Sequence, residues 1–461
     1  MVLNVRIRRA AAAAGLLLLA ITPETVLAHA GERAYVLLLP TQLYIAGGTA
    51  VVALSFALVL WLPGRWFAPG EPVQGAEPNP SRRASFASLA VIAVLVAAGY
   101  LGSRDPLVNP LPTAVWSLWW VGITFLHAVF GNLWSIVNPL GALGSLTSRA
   151  PRLRPGYWPA VGGYLVFAWF ELVFPAPQDP ALLAHAILIY FACSLCGMAL
   201  LGAPYWLRCC DPFTVFFRMV AWLAPLGFEP ADTGRARVKL RWPGAGLLRG
   251  EALPPSGVVF VILVLASVSF DGLSRSFWWL DLVGENPLEY PGRTALMGVN
   301  TLGLLVTVLV FLAAYGVTAL AGARLAGASA GMVLTSFVLS VIPIAFGYHF
   351  SHYLPAFLVD SQYAVRALSD PFELGWNLLG TANLHVTASF LGHHASVEVI
   401  WYMQTGAIVA AHVCAVVVAH RLALRYAGNR RALIAGQLPS LCLMIGYTLL
   451  GLWLLSTPIS A

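Results

Sequence analysis

The sequence predicts an all-α fold, a polytopic transmembrane helix bundle of about ten spans following a signal peptide. Three observations point there: the scarcity of charge, the recurrence of long apolar runs, and the placement of arginine between them. Of 461 residues, 59% are hydrophobic and only 10% charged, with a mean hydropathy of +0.79. Soluble domains carry about 25% charged residues. The deficit is what lipid-facing surfaces produce, because a charge in hydrocarbon costs several kcal/mol. The longest polar stretches, 64–84 and 226–255, are short and rich in Pro, Gly and Arg, so a single membrane domain is expected.

At the start of the chain, Arg6, Arg8 and Arg9 precede the apolar run AAAAAGLLLLAI, and VLAHA follows. A positive region, a short apolar core and small residues at a cleavage position describe a secretory signal peptide over 1–28. Cleavage after Ala28 gives a chain beginning at His29, whose amine and imidazole together suit one copper ion. Cleavage after Ala30 removes that possibility.

Ten segments then have the length needed to cross about 30 Å of hydrocarbon. They fall near 38–62, 85–103, 113–136, 159–176, 180–204, 256–272, 294–320, 329–347, 397–420 and 436–457. The fourth is the weakest, being short and carrying Glu171. All basic residues except Lys239 are arginine, and most gather in alternate connections: Arg65, Arg82 and Arg83; Arg149, Arg152 and Arg154; Arg208 to Arg249; Arg324; and Arg421 to Arg431. The intervening connections hold Asp105, Asp179, Asp281, Glu285, Asp370 and Glu373. By the positive-inside rule, this alternation places both mature termini in the periplasm of a bacterial inner membrane. It also accounts for the net charge of +7 without a nucleic-acid partner.

Within the membrane domain, 209–255 reads as a cytoplasmic amphipathic and basic connection. Its apolar part, from Cys209, suits an interfacial helix. The stretch 348–396 reads as a periplasmic, histidine-containing connection. The pairs Asn109-Pro110 and Asn138-Pro139 bracket the third span as boundary devices. The aromatic run WSLWWVGITF inside it fits an interface belt followed by a lipid-facing or packing surface. The six cysteines form no extracellular framework and suit helix packing.

Histidine carries most of the chemistry. His349, His352, His385, His393 and His394 fall within 46 residues. Imidazole and carboxylate are ligands for zinc or copper. A divalent transition metal is therefore expected on His349 and His352 from one helix and His393 or His394 from the next. Glu398 or Asp360 would handle a proton, and His385 would supply an alternative ligand. His127, Glu171, Asp271 and His412 are further candidates, since ionisable groups inside a membrane are functional by default.

The segments LAHAGERAYVLLLPTQLYIAGGTAVVALSFALVL, DPLVNPLPTAVWSLWWVGITF, GNLWSIVNPLGALG and SVSFDGL resemble those of bacterial membrane proteins known as fenitrothion hydrolases, which degrade organophosphates. That resemblance implies hydrolysis of small apolar phosphotriester-like compounds, with a metal activating water. It supplies no catalytic motif to place on particular residues. Two other readings stand beside it: a secondary transporter or permease for a small solute or metal ion, and an accessory subunit of a periplasmic metalloprotein or membrane complex. Membrane lipid is a partner in all three.

Overall fold

The computed structural model describes residues 41–61, 81–144, 153–230, 236–248 and 252–458. The signal peptide and His29 lie outside these residues. Among the described residues, nine helices are long and apolar enough to cross a membrane: α1 (Gln42–Trp61), α2 (Arg82–Leu101), α3 (Pro110–Phe130), α5 (Pro180–Leu201), α7 (Pro255–Ser274), α8 (Arg293–Ala326), α9 (Ala330–Ala367), α10 (His394–Ala423) and α11 (Arg430–Ser456). Two shorter helices, α4 (Trp158–Leu172) and α6 (Pro212–Ala221), complete the bundle. The chain is a multi-pass, all-α membrane protein. Its only described strands are an antiparallel pair, β1 (Leu226–Pro230) and β2 (Ala236–Leu240).

Four expectations are corrected. The span expected over 159–176 is the shorter, 15-residue α4. At 1.5 Å per residue it is about 22 Å long. Arg293 reaches its end, donating to the carbonyls of Glu171 at 2.7 Å and Phe174 at 3.4 Å, and satisfies acceptors that the helix leaves open. Second, α6 is no interfacial helix: all ten of its residues are buried, Arg218 included. Third, the aromatic run of α3 is no interface belt. Trp120 is buried, and Trp119 meets Phe213 and Phe217 edge-on. The run adopts a π-helical winding over Ala114–Ile123.

The fourth correction concerns 348–396. Helix α9 does not end at 347 but continues to Ala367, so His349 and His352 lie inside the bundle. Pro355 interrupts this extension by having no N–H to offer the Ser351 carbonyl. Gln404 of α10 repairs the defect: its Nε2 donates to the Ser351 carbonyl at 2.6 Å, and Ser351 Oγ donates to the Gln404 carbonyl at 2.8 Å. Backbone groups in a membrane interior need such partners because water is absent. Gln404→Leu should lower stability in detergent by about 1–3 kcal/mol, the cost of an orphaned buried acceptor. A thermal melt unchanged from the parent would contradict this role.

Both Asn-Pro boundaries behave as expected. Asn109 Oδ1 accepts the Leu111 N–H at 2.9 Å while its amide donates to Ala98 and Ser103 carbonyls. Asn138 Oδ1 accepts the Leu140 N–H at 2.9 Å, and its amide donates to Thr214 of α6.

Burial sorts the helices. The apolar window of α7 is 72% buried and that of α8 only 17%, so α7 is the central element while α8 offers Leu302, Val306, Leu309 and Val310 to lipid. Around α7 pack α4, α8, α9 and α11. Close approach uses small residues, the usual device where no hydrophobic effect drives helix pairing. A Cβ at Gly347 of α9 would stand 2.4 Å from Ala411 of α10, and one at Gly322 of α8 would stand 2.5 Å from the Gly436 carbonyl of α11.

Candidate functional site

Three helices bring ionisable groups together beside the centre of the bundle. Asp271 lies in the last turn of α7, where the close approach of neighbouring helices removes it from solvent. His352 and Tyr353 project from the middle of α9, and Glu171 from the last turn of α4. His352 Nε2 lies 2.8 Å from Asp271 Oδ2. The Tyr353 hydroxyl lies 2.8 Å from the same carboxylate oxygen and 2.9 Å from Glu171 Oε1. The result is a continuous hydrogen-bonded chain, His352–Asp271–Tyr353–Glu171, shared by α9, α7 and α4.

Proton counting gives this chain its chemical character. Tyr353 has a single hydroxyl proton, yet its oxygen contacts two carboxyl groups. Only one contact can be its own donation, and the other requires a proton held by a carboxyl. Two carboxylates this close to one hydroxyl cannot comfortably both be ionised in a medium of low dielectric. The cluster is therefore built to hold one proton beyond those of a tyrosine and two carboxylates, with the His352 imidazole as a further acceptor at its end. Positive charge is close by, on Arg275 four residues after Asp271 and on Arg293 at the end of α4.

The expected metal shell does not assemble. Among the described residues, no three His, Cys, Asp or Glu side chains are placed to hold a metal ion. The reason is axial displacement. Gln404 lies level with Ser351, so His394 lies ten residues further along α10, about 15 Å at 1.5 Å per residue. Zinc and copper hold nitrogen ligands at about 2 Å. His385, His393 and His394 are exposed. Glu398 accepts a hydrogen bond from Tyr402 one turn along its own helix and stands 4.0 Å from His394 Nδ1. Asp360 is buried further along α9, beyond Pro355, and joins none of these groups in a metal-binding set.

The remaining candidates separate by how their ring nitrogens are used. His127 has both engaged: Nδ1 donates to the Ile123 carbonyl at 2.7 Å, and Nε2 accepts the Trp134 N–H at 2.9 Å. It holds the turn at Gly131 together and is structural. His412 donates through Nδ1 to the Ile408 carbonyl at 2.8 Å, but its Nε2 is buried without a partner. His349 likewise has a buried Nε2 without a partner; its ring packs on Trp120 and Tyr353. It borders an apolar cavity of about 30 Å³ lined also by Thr124, Phe216, Phe260 and Phe346.

Sequence reasoning singled out His352, Asp271 and Glu171, but in separate groups, and missed Tyr353, which links them. A tyrosine directly following the second histidine of YHFSHY was the available signal. No family model, curated protein or solved structure matches this chain.

Proposed function

We propose that the protein is a proton-coupled secondary transporter for a small solute, with His352, Asp271, Tyr353 and Glu171 as its proton-binding element. The observation that carries the proposal is the shared hydroxyl of Tyr353 between two carboxyl groups on different helices, Asp271 buried and Glu171 partly buried. Gaining or losing the extra proton changes what holds α4, α7 and α9 together. A membrane protein can convert that change into movement of one helix against another. The arginine distribution supports residence in a bacterial inner membrane with periplasmic termini.

Geometry favours transport over hydrolysis. A His–Asp pair can orient an imidazole as a general base. The groups that bond to or stack on His352 are Asp271, Tyr348 and Tyr353, none of them a serine or cysteine nucleophile. The donors proposed for a metal are divided between α9, which carries His349 and His352, and the start of α10 with its preceding loop.

Purified protein in vesicles with an entrapped pH dye tests the reading. Addition of a transported solute should carry protons into wild-type vesicles, and a protonophore should abolish concentrative uptake. Solute entry that moves no protons would contradict it.

A further inference from the structure

A file of buried polar side chains continues from the cluster toward the opposite end of the bundle. Tyr348 of α9 stacks beside His352, with ring centroids 6.1 Å apart. Its hydroxyl reaches α7 at Gly272, where a Cβ would stand 2.6 Å from the oxygen. A glycine beside Asp271 is what leaves room for it. Tyr348 in turn meets Tyr447 of α11, at 6.3 Å between ring centroids. The Tyr447 hydroxyl lies 2.8 Å from Ser269 Oγ, which itself donates to the Leu265 carbonyl, so Tyr447 is the donor to Ser269. The next ring is His412 of α10, 6.0 Å from Tyr447.

Beyond His412 the polar line follows α11. Tyr447, Ser440 and Gln437 stand at spacings of seven and three, on one helix face, and all three are buried. Gln437 Oε1 meets His420 Nδ1 at 3.3 Å in the last turn of α10. Helix geometry gives the scale. From Gln404, level with the cluster, His412 is eight residues along α10 and His420 sixteen, about 12 Å and about 24 Å. The file thus covers most of the roughly 30 Å hydrocarbon thickness.

From this placement we infer that Tyr348, Tyr447, Ser269 and His412 form an internal proton route joining the carboxyl cluster to the His420 end of the bundle, with His412 as the relay. The inference rests on reading the cluster as a proton-binding element. His412 is suited to the task by an asymmetry. Its Nδ1 proton is fixed on the Ile408 carbonyl, which leaves Nε2 as a bare lone pair, 1% exposed and without a partner in a helix core. Leaving a basic nitrogen buried and unbonded is costly unless its lone pair is used. A proton arriving at Nε2 gives an imidazolium, and the same nitrogen releases it to the next acceptor. The ring returns to its starting tautomer, so the step balances with no other reactant. His127 shows the contrast, since its Nε2 is already occupied by a backbone N–H.

The test is a pH step applied to one side of vesicles holding the protein in one orientation. Protonation of the cluster is followed by the infrared carboxyl band that disappears in Asp271→Asn or Glu171→Gln. In the wild-type protein the band should respond promptly to a step on the His420 side. His412→Phe should slow that response at least tenfold, and Tyr447→Phe, which removes only a hydroxyl, should slow it similarly. Response to a step on the other side should be unchanged in both. An unaltered response in both variants overturns the route and leaves the cluster reading standing. Absence of any such band in wild-type protein sinks the cluster reading and the route with it.

Discussion

Asp271→Asn is expected to abolish proton-driven solute accumulation while the bundle still assembles. Asparagine keeps the size and one acceptor oxygen of the aspartate, so Tyr353 retains a partner, but it cannot share a proton with Glu171 or pair with a charged His352. Accumulation at wild-type levels, with expression and melting behaviour preserved, would remove Asp271 from the coupling site. Tyr353→Phe separates the linking role from the charge. It leaves the His352–Asp271 contact at 2.8 Å in place and removes the hydroxyl that joins Asp271 to Glu171.

Gly347→Val is expected to disrupt the bundle more than any change to a lipid-facing glycine. The added Cβ meets Ala411 at 2.4 Å and the Ala407 carbonyl at 3.2 Å, so α9 and α10 must separate. Overpacking of this kind costs about 1–3 kcal/mol. The reciprocal Ser351–Gln404 hydrogen bonds, one turn away, are lost with it, and the carbonyl freed by Pro355 is exposed to an apolar interior. The combined loss should exceed about 3 kcal/mol, counting each orphaned group at about 1–3. Gly316→Ala in α8, where a Cβ meets nothing within 4 Å, is the control and should be neutral or slightly stabilising. Equal melting temperatures for Gly347→Val and the control would show that the close crossing carries no weight.

Much of the architecture was legible because hydrocarbon imposes a simple rule on sequence. Segments of 20 or more apolar residues had to be helices, and α1, α2, α3, α5, α7, α8, α10 and α11 lie close to their expected positions. Two features escaped that rule. Helix α4 is apolar but only 15 residues long, and its end is held by Arg293, some 120 residues away in the chain. The extension of α9 was hidden because His349, His352 and Tyr353 read as surface polarity. The partners of His352 and Tyr353, Asp271 and Glu171, belong to other helices and are invisible to local periodicity.

The same distinction explains the site. Ionisable residues inside apolar segments marked Asp271, Glu171 and His412 as candidates, whereas His352 was expected as a metal ligand in a periplasmic connection. Histidine density alone suggested a metal shell, and density in sequence says nothing about depth in a bundle. His394 and His352 lie on neighbouring helices but are offset along them by about 15 Å at the rise of an α-helix. Ordinary polar residues did the joining: Tyr353, Gln404 and Tyr447 are unremarkable in composition and become informative only when their partners are known.

The central claim, coupling of solute movement to protons through the Asp271 cluster, is tested most directly by solute accumulation at equilibrium as a function of imposed pH difference. One pH unit is worth about 1.4 kcal/mol per proton. For an uncharged solute carried with one proton, with the membrane potential clamped at zero, the ratio of internal to external concentration should rise about tenfold per unit in wild-type vesicles. It should stay near one in Asp271→Asn. A wild-type ratio that remains at one across every pH difference, with transport intact, would contradict the account.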